Sequence, residues 1–157
     1  MKIKLICIGG IREASLAKLI EQYSKKIGFY WPFTITALPD VKTPKSAGAD
    51  KQKELEGKRI LEEIGNGDFV VLFDERGREM TSIQFSQFIE RKAVELPRNL
   101  IFVTGGPYGF SKEVYDRADG MLSLSKMTFT HEMVRLFIVE QIYRAGTIMR
   151  GEPYHHE

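Results

Sequence analysis

The run Phe69-Val70-Val71-Leu72-Phe73 carries no polar side chain, and this limits the fold more than any other feature of the chain. A strand with one wet face alternates apolar and polar residues, whereas a strand apolar at every position needs cover on both faces. Residues 100–103 repeat the pattern, and residues 2–8, rich in Ile and Leu and closed by Gly9-Gly10, read as another buried strand. Residues 33–38 and 121–124 read as two further strands. Stretches of helical period separate the strands. Leu16, Leu19, Ile20, Tyr23 and Ile27 recur at helical spacing. Residues 51–64 form a helix ending at Gly65-Asn66-Gly67, after loop-like composition at 41–48. Thr81 with Gln84 makes a capping box for a third helix. Ser111 caps a short fourth one, and Thr130 caps a long last helix reaching about Met149. Strands alternating with helices predict one α/β domain over residues 1–157, its mostly parallel sheet covered by helices on both faces.

Composition narrows the function. The balance is 23 basic against 21 acidic residues, net +2 with the histidines neutral. This is no general nucleic-acid coat, so any nucleic-acid site must be a local patch. The single cysteine, Cys7, excludes an intramolecular disulfide, and with three histidines it excludes a Cys/His zinc cluster. No metal site is expected. The apolar run at the N-terminus is about six residues, too short for a signal segment, and nothing approaches a membrane span. A cytoplasmic protein with a reduced Cys7 is expected.

The last helix is unusual. Met133, Val134, Leu136, Phe137, Ile138 and Val139 crowd into seven positions, more than one stripe can hold. Such a helix needs burial around its circumference. Either a neighbouring helix of the same chain or a second copy in a symmetric dimer supplies the extra cover.

Three segments are candidates for chemistry. The loop Thr104-Gly105-Gly106-Pro107-Tyr108-Gly109-Phe110 follows the fourth strand, where ligands of open parallel sheets bind, although a tight turn accounts equally for its glycines. It is neither a G-x-G-x-x-G fingerprint nor a Walker loop, which counts against an ordinary nucleotide-dependent enzyme. Residues 122–130, Leu-Ser-Leu-Ser-Lys-Met-Thr-Phe-Thr, interleave small hydroxyls with apolar groups and suit a flat ring; Phe73 can close such a slot. The tail Pro153-Tyr154-His155-His156-Glu157 gathers an aromatic and two histidines, which can stack on an unpaired base or accept a proton. Terminal segments are ordinarily frayed. Arg144 either pairs with Glu140 one turn back or meets a phosphate or developing oxyanion. The lysines of residues 42–63 stand among nearly as many acids and read as a solvated face.

Taken together, FVTGGPYGF, LSLSKMTFTHEMVR and IMRGEPYHHE, in this order on a chain of this length, resemble the RlmH family of SPOUT-class methyltransferases. The resemblance spans the whole chain. It implies an α/β fold with a C-terminal trefoil knot, which no pattern rule would predict, and an obligate homodimer. It implies transfer of a methyl group from S-adenosyl-L-methionine to N3 of a pseudouridine in 23S ribosomal RNA, within the large subunit or the whole ribosome. Carried over, the cofactor site falls on Phe73, Gly105, Leu124, Ser125, Lys126, Met127, Thr128 and Phe129. From the chemistry of removing the N3 proton, the catalytic candidates are His155, Tyr154, Arg144 and His131, with His155 the first candidate for general base, His131 the second and His156 the third. The competing expectation is an RNA-binding module without catalysis.

Overall fold

In the computed structural model, which describes residues 1–95 and 98–157, the five strands pair in the order β2-β1-β4-β3-β5, all parallel. They are β1 (Ile3–Ile8), β2 (Phe33–Leu38), β3 (Phe69–Glu79), β4 (Leu100–Thr104) and β5 (Gly120–Ser123). Five α-helices connect and cover them: α1 (Ala14–Ile27), α2 (Gly48–Glu62), α3 (Ser82–Glu95), α4 (Lys112–Arg117) and α5 (His131–Met149). A single 3₁₀ turn, Lys45–Ala47, interrupts the loop before α2.

The apolar strands divide their side chains between two cores, as the period of two demands. Ile3, Leu5, Cys7, Val71, Leu100 and Phe102 face α1, α3 and α5. Ile6, Ile8, Val70, Leu72, Ile101 and Val103 face α2 and α4, where Ile60 and Val114 meet them. Phe102 is fully buried in the first core, and its truncation to Ala would cost about 3–5 kcal/mol.

The caps form as their sequences suggest. Gln84 N–H donates to Thr81 Oγ1 at 3.1 Å, and Thr81 N–H donates back to Gln84 Oε1 at 2.9 Å. Ser111 Oγ accepts from Val114 N–H, and Thr130 Oγ1 from Met133 N–H.

Two differences from the sequence reading bear on function. The first is β3, which runs to Glu79 rather than stopping at Phe73. Phe73 and Arg78 both pair with Leu122, so Asp74–Gly77 (residues 74–77) form an excursion inside the strand. Backbones touch there: a Cβ on Gly77 would lie 2.5 Å from the Leu122 carbonyl carbon. Asp74 fixes the excursion by accepting from Arg76 N–H at 2.9 Å and from the Tyr115 hydroxyl on α4 at 2.5 Å. Burial alone would raise the Asp74 pKa, but these donors outweigh it and hold the carboxyl below its usual value.

The second difference is α5. Its extra cover comes partly from its own chain, since α1 and α3 flank it. Ser86 Oγ donates to the Ala145 carbonyl at 2.9 Å, tying α3 to α5. Phe137 nevertheless stays 37% exposed, with Phe129 tilted against it at 5.2 Å between ring centroids. Arg135, inside the apolar run, is the residue that goes under, at 3% exposure, donating to the Ile8 carbonyl.

Candidate functional site

At the carboxyl ends of β3 and β5 lies a cavity of about 270 Å³. Phe73, Phe85, Phe129 and Phe137 supply aromatic walls, and Met80, Leu122 and Leu124 complete the apolar lining. Polar groups are few: Ser123, Arg78, and the pair Ser82 and Gln141, where Ser82 Oγ donates to Gln141 Oε1 at 2.7 Å. A narrow aromatic slot with a small polar edge suits a flat heterocycle. The adenine of S-adenosylmethionine is such a ring, and the residues present fit it.

Of the eight sequence-predicted cofactor residues, Phe73, Leu124 and Phe129 line this cavity. Gly105 follows Thr104, the β4 partner of Phe73, so it stands one residue beyond the strand next door. Ser125 shapes the turn after β5: its carbonyl accepts from Ser123 Oγ, and its Oγ accepts from Met127 N–H, both at 3.0 Å. Lys126, Met127 and Thr128 are exposed, and Met127 at 77% turns its side chain to solvent. None of these three lines the cavity. Sequence reasoning missed Met80, Ser82, Phe85, Phe137 and Gln141. They come from α3, its approach and α5, and periodicity does not tell which of a helix's apolar residues border a void.

The glycine loop makes a tight turn. Gly109 N–H donates to the Gly106 carbonyl at 3.2 Å, with Gly109 at φ +82°. Behind it lies Glu56, a carboxyl 2% exposed whose Oε2 has no partner. A Cβ on Gly106 would fall 2.5 Å from that oxygen. Burial pushes the Glu56 carboxyl up, against the Gln52 hydrogen bond and with the help of nearby Asp40.

The tail docks instead of fraying. Tyr154 O–H donates to Glu140 Oε1 at 3.0 Å and lies 3.2 Å from the Tyr23 hydroxyl. Its ring meets Tyr143 at 4.8 Å, and the Arg144 guanidinium lies 4.7 Å above its centroid. Burial first, then the Tyr23 and Glu140 hydrogen bonds, raise the Tyr154 pKa, so the phenol stays protonated. Arg144 makes the expected pair with Glu140, Nη2 to Oε1 at 2.5 Å. The same guanidinium sends Nη1 to within 3.3 Å of His155 Nδ1. Nε2 of His155 is buried without a partner, 3.8 Å from the Glu157 carboxylate. His156 is exposed.

The structure brings Tyr154, His155 and Arg144 together and leaves His131 apart. His131 is exposed at the first turn of α5, beside the cavity loop. Arg144 is 13 residues farther along the same helix, about 20 Å at 1.5 Å per residue. The cavity itself reaches Gln141 on α5, whose Nε2 donates to Glu140 Oε2 at 3.0 Å, so its wall adjoins the Glu140–Arg144–Tyr154 cluster.

No helix among the described residues is long and apolar enough to cross a membrane, and no group of His, Cys, Asp and Glu there could hold a metal ion.

Comparison with known proteins agrees with this geometry. The family described as predicted SPOUT methyltransferase matches residues 1–155. Proteins named ribosomal RNA large subunit methyltransferase H are similar over the whole chain. That of Parabacteroides distasonis is 49% identical, covering 100% of both chains. That of Christiangramia forsetii is 51% identical over 99% of each, and that of Flavobacterium johnsoniae 46% over 100%. An all-parallel five-stranded sheet, a slot at its carboxyl edge and a match over nearly the full length converge: the chain belongs to the SPOUT methyltransferase family.

Proposed function

We propose that this chain is a single functional domain that transfers a methyl group from S-adenosylmethionine to N3 of a pseudouridine in 23S ribosomal RNA, working in the cytoplasm as a homodimer. The relatives' names support the ribosomal target, and the aromatic slot supports the donor. The observation that carries the reading is the aromatic slot at the carboxyl edge of the sheet, in a chain that the methyltransferase family matches over residues 1–155. The tail cluster adjoins that slot through Glu140 and Gln141. In the homodimer, a second copy docks so that its tail meets the first copy's cavity. The exposed strip around Phe137 borders the cavity and suits that docking. The Gly77–Leu122 contact supports threading of the segment after β5 past the 74–77 excursion, as the trefoil knot requires.

The residues then divide the work. The donor, when bound, supplies an electrophilic methyl on a sulfonium that leaves as a neutral thioether. N3 of a uracil ring attacks well only after losing its proton, and His155 takes that proton. Charge then spreads to the flanking carbonyl oxygens, where Arg144 stabilises it; the alternative role for Arg144 is to hold a nearby phosphate. Tyr154 remains a phenol and orients the ring. The aromatic walls and the glycine loop fix the approach of methyl to nitrogen. His131, in the first turn of α5, is the alternative base.

Mass-spectrometric mapping of ribosomal RNA from cells with and without the gene tests this reading. One methylated pseudouridine should vanish with the gene and return when purified protein and S-adenosylmethionine are added. Unchanged modification, or no binding of S-adenosylmethionine by calorimetry, overturns it and leaves the non-catalytic RNA-binding module.

A further inference from the structure

Beside the tail cluster, between the end of α1 and the last turn of α5, opens a cleft of about 400 Å³. Lys26, Phe29, Tyr30, Tyr143, Arg150 and Glu152 line it. Phe29 is 73% exposed, yet its peptide is pinned: Arg150 Nη2 donates to the Phe29 carbonyl at 2.8 Å, and Phe29 N–H donates to the Lys26 carbonyl at 3.2 Å. The ring is therefore held in water on a fixed backbone.

The cations beside it are available. Lys26 Nζ lies 5.2 Å from the Tyr23 ring centroid and 5.4 Å from that of Tyr143. The Arg150 guanidinium lies 4.7 Å over Tyr30. Neither forms an ion pair among the described residues, whereas the neighbouring Lys25 is taken by Glu21. Glu152, the acid of the cleft, has Oε2 engaged by the Tyr30 hydroxyl at 2.6 Å. In a chain of net +2, two cations without acid partners flanking a presented ring form the kind of local patch that bulk charge cannot supply. An open aromatic face with adjacent cations fits an unpaired nucleotide, because stacking tolerates any base and the cations take its phosphates. The cleft is continuous with the tail, since Tyr143 contacts both Phe29's neighbour Tyr30, at 6.1 Å between rings, and Tyr154.

We propose that this cleft is a second RNA subsite, in which Phe29 stacks on an unpaired nucleotide adjoining the target and Lys26 and Arg150 hold its phosphates. This rests on the reading of the protein as a ribosomal RNA methyltransferase. The test pairs two measurements on wild type, Phe29→Ala and Lys26→Gln. One is methyl transfer to ribosomes from cells lacking the gene; the other is binding of a fluorescein-labelled single-stranded oligouridine across a salt series. Phe29→Ala should raise KM for ribosomes and weaken oligouridine binding, each roughly 10-fold, the loss of one stack, with kcat and donor affinity held. Lys26→Gln should reduce the slope of log affinity against log salt by about 0.7, one phosphate contact. Wild-type KM and oligouridine affinity in Phe29→Ala would overturn the subsite and leave the methyltransferase reading intact. A wild type that modifies no ribosomal RNA, yet binds oligouridine through Phe29, would reject that reading and retain the cleft. Dimers converted to monomers by Phe29→Ala in sedimentation would make the cleft an interface between copies and overturn the proposal.

Discussion

Arg144 Nη1 lies 3.3 Å from His155 Nδ1, and this contact assigns the hydrogen on the imidazole. A guanidinium donates and cannot accept, so Nδ1 is the acceptor and the ring hydrogen sits on Nε2. The free lone pair of His155 is thus covered by Arg144, and Nε2 cannot act as base in this state. For His155 to take a proton, Arg144 must move off Nδ1, and a phosphate or carbonyl of the substrate is a partner that would draw it away.

The first prediction follows from that exchange. His155→Ala should lower single-turnover methyl transfer by about 10²–10⁴-fold, the usual contribution of a general base, with donor affinity by calorimetry unchanged. Arg144→Ala should also slow the chemical step. A His155→Ala enzyme with full turnover would transfer the role to His131.

Glu56 yields a prediction of opposite sign to most core substitutions. Burial raises its folded pKa above the value near 4.5 of the free group, so the protonated form is the one the fold favours. Its stabilising contribution is complete below about pH 4.5 and is lost as pH rises through the folded value. Glu56→Gln, which keeps the shape without the charge, should melt a few degrees higher than wild type at pH 7, equivalent to ~1–3 kcal/mol. The difference should close near pH 4. Thermal melts across pH 4–8 measure it, and a gap that persists at pH 4 would mean that charge is not the cause.

Much of this was legible in the sequence because the first half of β3 and residues 100–103 of β4 are apolar at every position and β1 departs only at Lys4, a pattern that a doubly covered sheet satisfies. The second half of β3, Asp-Glu-Arg-Gly-Arg-Glu, has no such signature. It stays extended because Arg78 and Glu79 pair with Leu122 and Ser123, a contact more than 40 residues away in the chain. The cavity was legible only in part for the same reason: Leu124 and Phe129 stand in a readable motif, while Phe85 and Gln141 reach it through helix packing. The tail's order depends on Tyr154 meeting Tyr23, Glu140 and Tyr143, none of which a terminal sequence announces.

Tyr30 predicts the alkaline behaviour of the tail region. Burial and the Glu152 hydrogen bond push its phenol up to about 12 from 10, so its contribution is present in full below about pH 10 and is lost as pH rises through 12. Tyr30→Phe removes that bond, at a cost of about 1 kcal/mol at pH 8, and should flatten the loss of stability between pH 10 and 12. Denaturant melts at pH 8 and pH 11 would show it. Identical alkaline slopes in the two proteins would assign the loss to Tyr154 or Tyr115.

Gly77 predicts the cost of separating two backbones. An Ala there places its Cβ 2.5 Å from the Leu122 carbonyl carbon and 2.7 Å from its nitrogen, and no side chain is available to yield. Gly77→Ala should cost about 2–4 kcal/mol, at the severe end of overpacking, and should weaken donor binding because Leu122 lines the cavity. Gly10→Ala, which meets nothing within 4 Å, is the matched control and should leave both unchanged.

The proposed homodimer makes the sharpest prediction. If each reaction centre uses one copy's cavity and the other copy's tail, a cavity variant and a tail variant should rescue each other. Leu124→Arg fills the slot with a long cation and should abolish donor binding, while His155→Ala should bind donor and transfer poorly. Homodimers of either are inactive at both centres. In the mixed dimer, one centre combines the intact cavity of the His155→Ala chain with the intact tail of the Leu124→Arg chain. Co-expressed with two tags and purified through both, this dimer should recover a substantial fraction of wild-type methyl transfer. Recovery requires the centre to be shared, because a centre built within one chain is broken in every subunit of the mixture. Absence of recovery in a mixed dimer that sediments normally would place the base and the donor in the same copy.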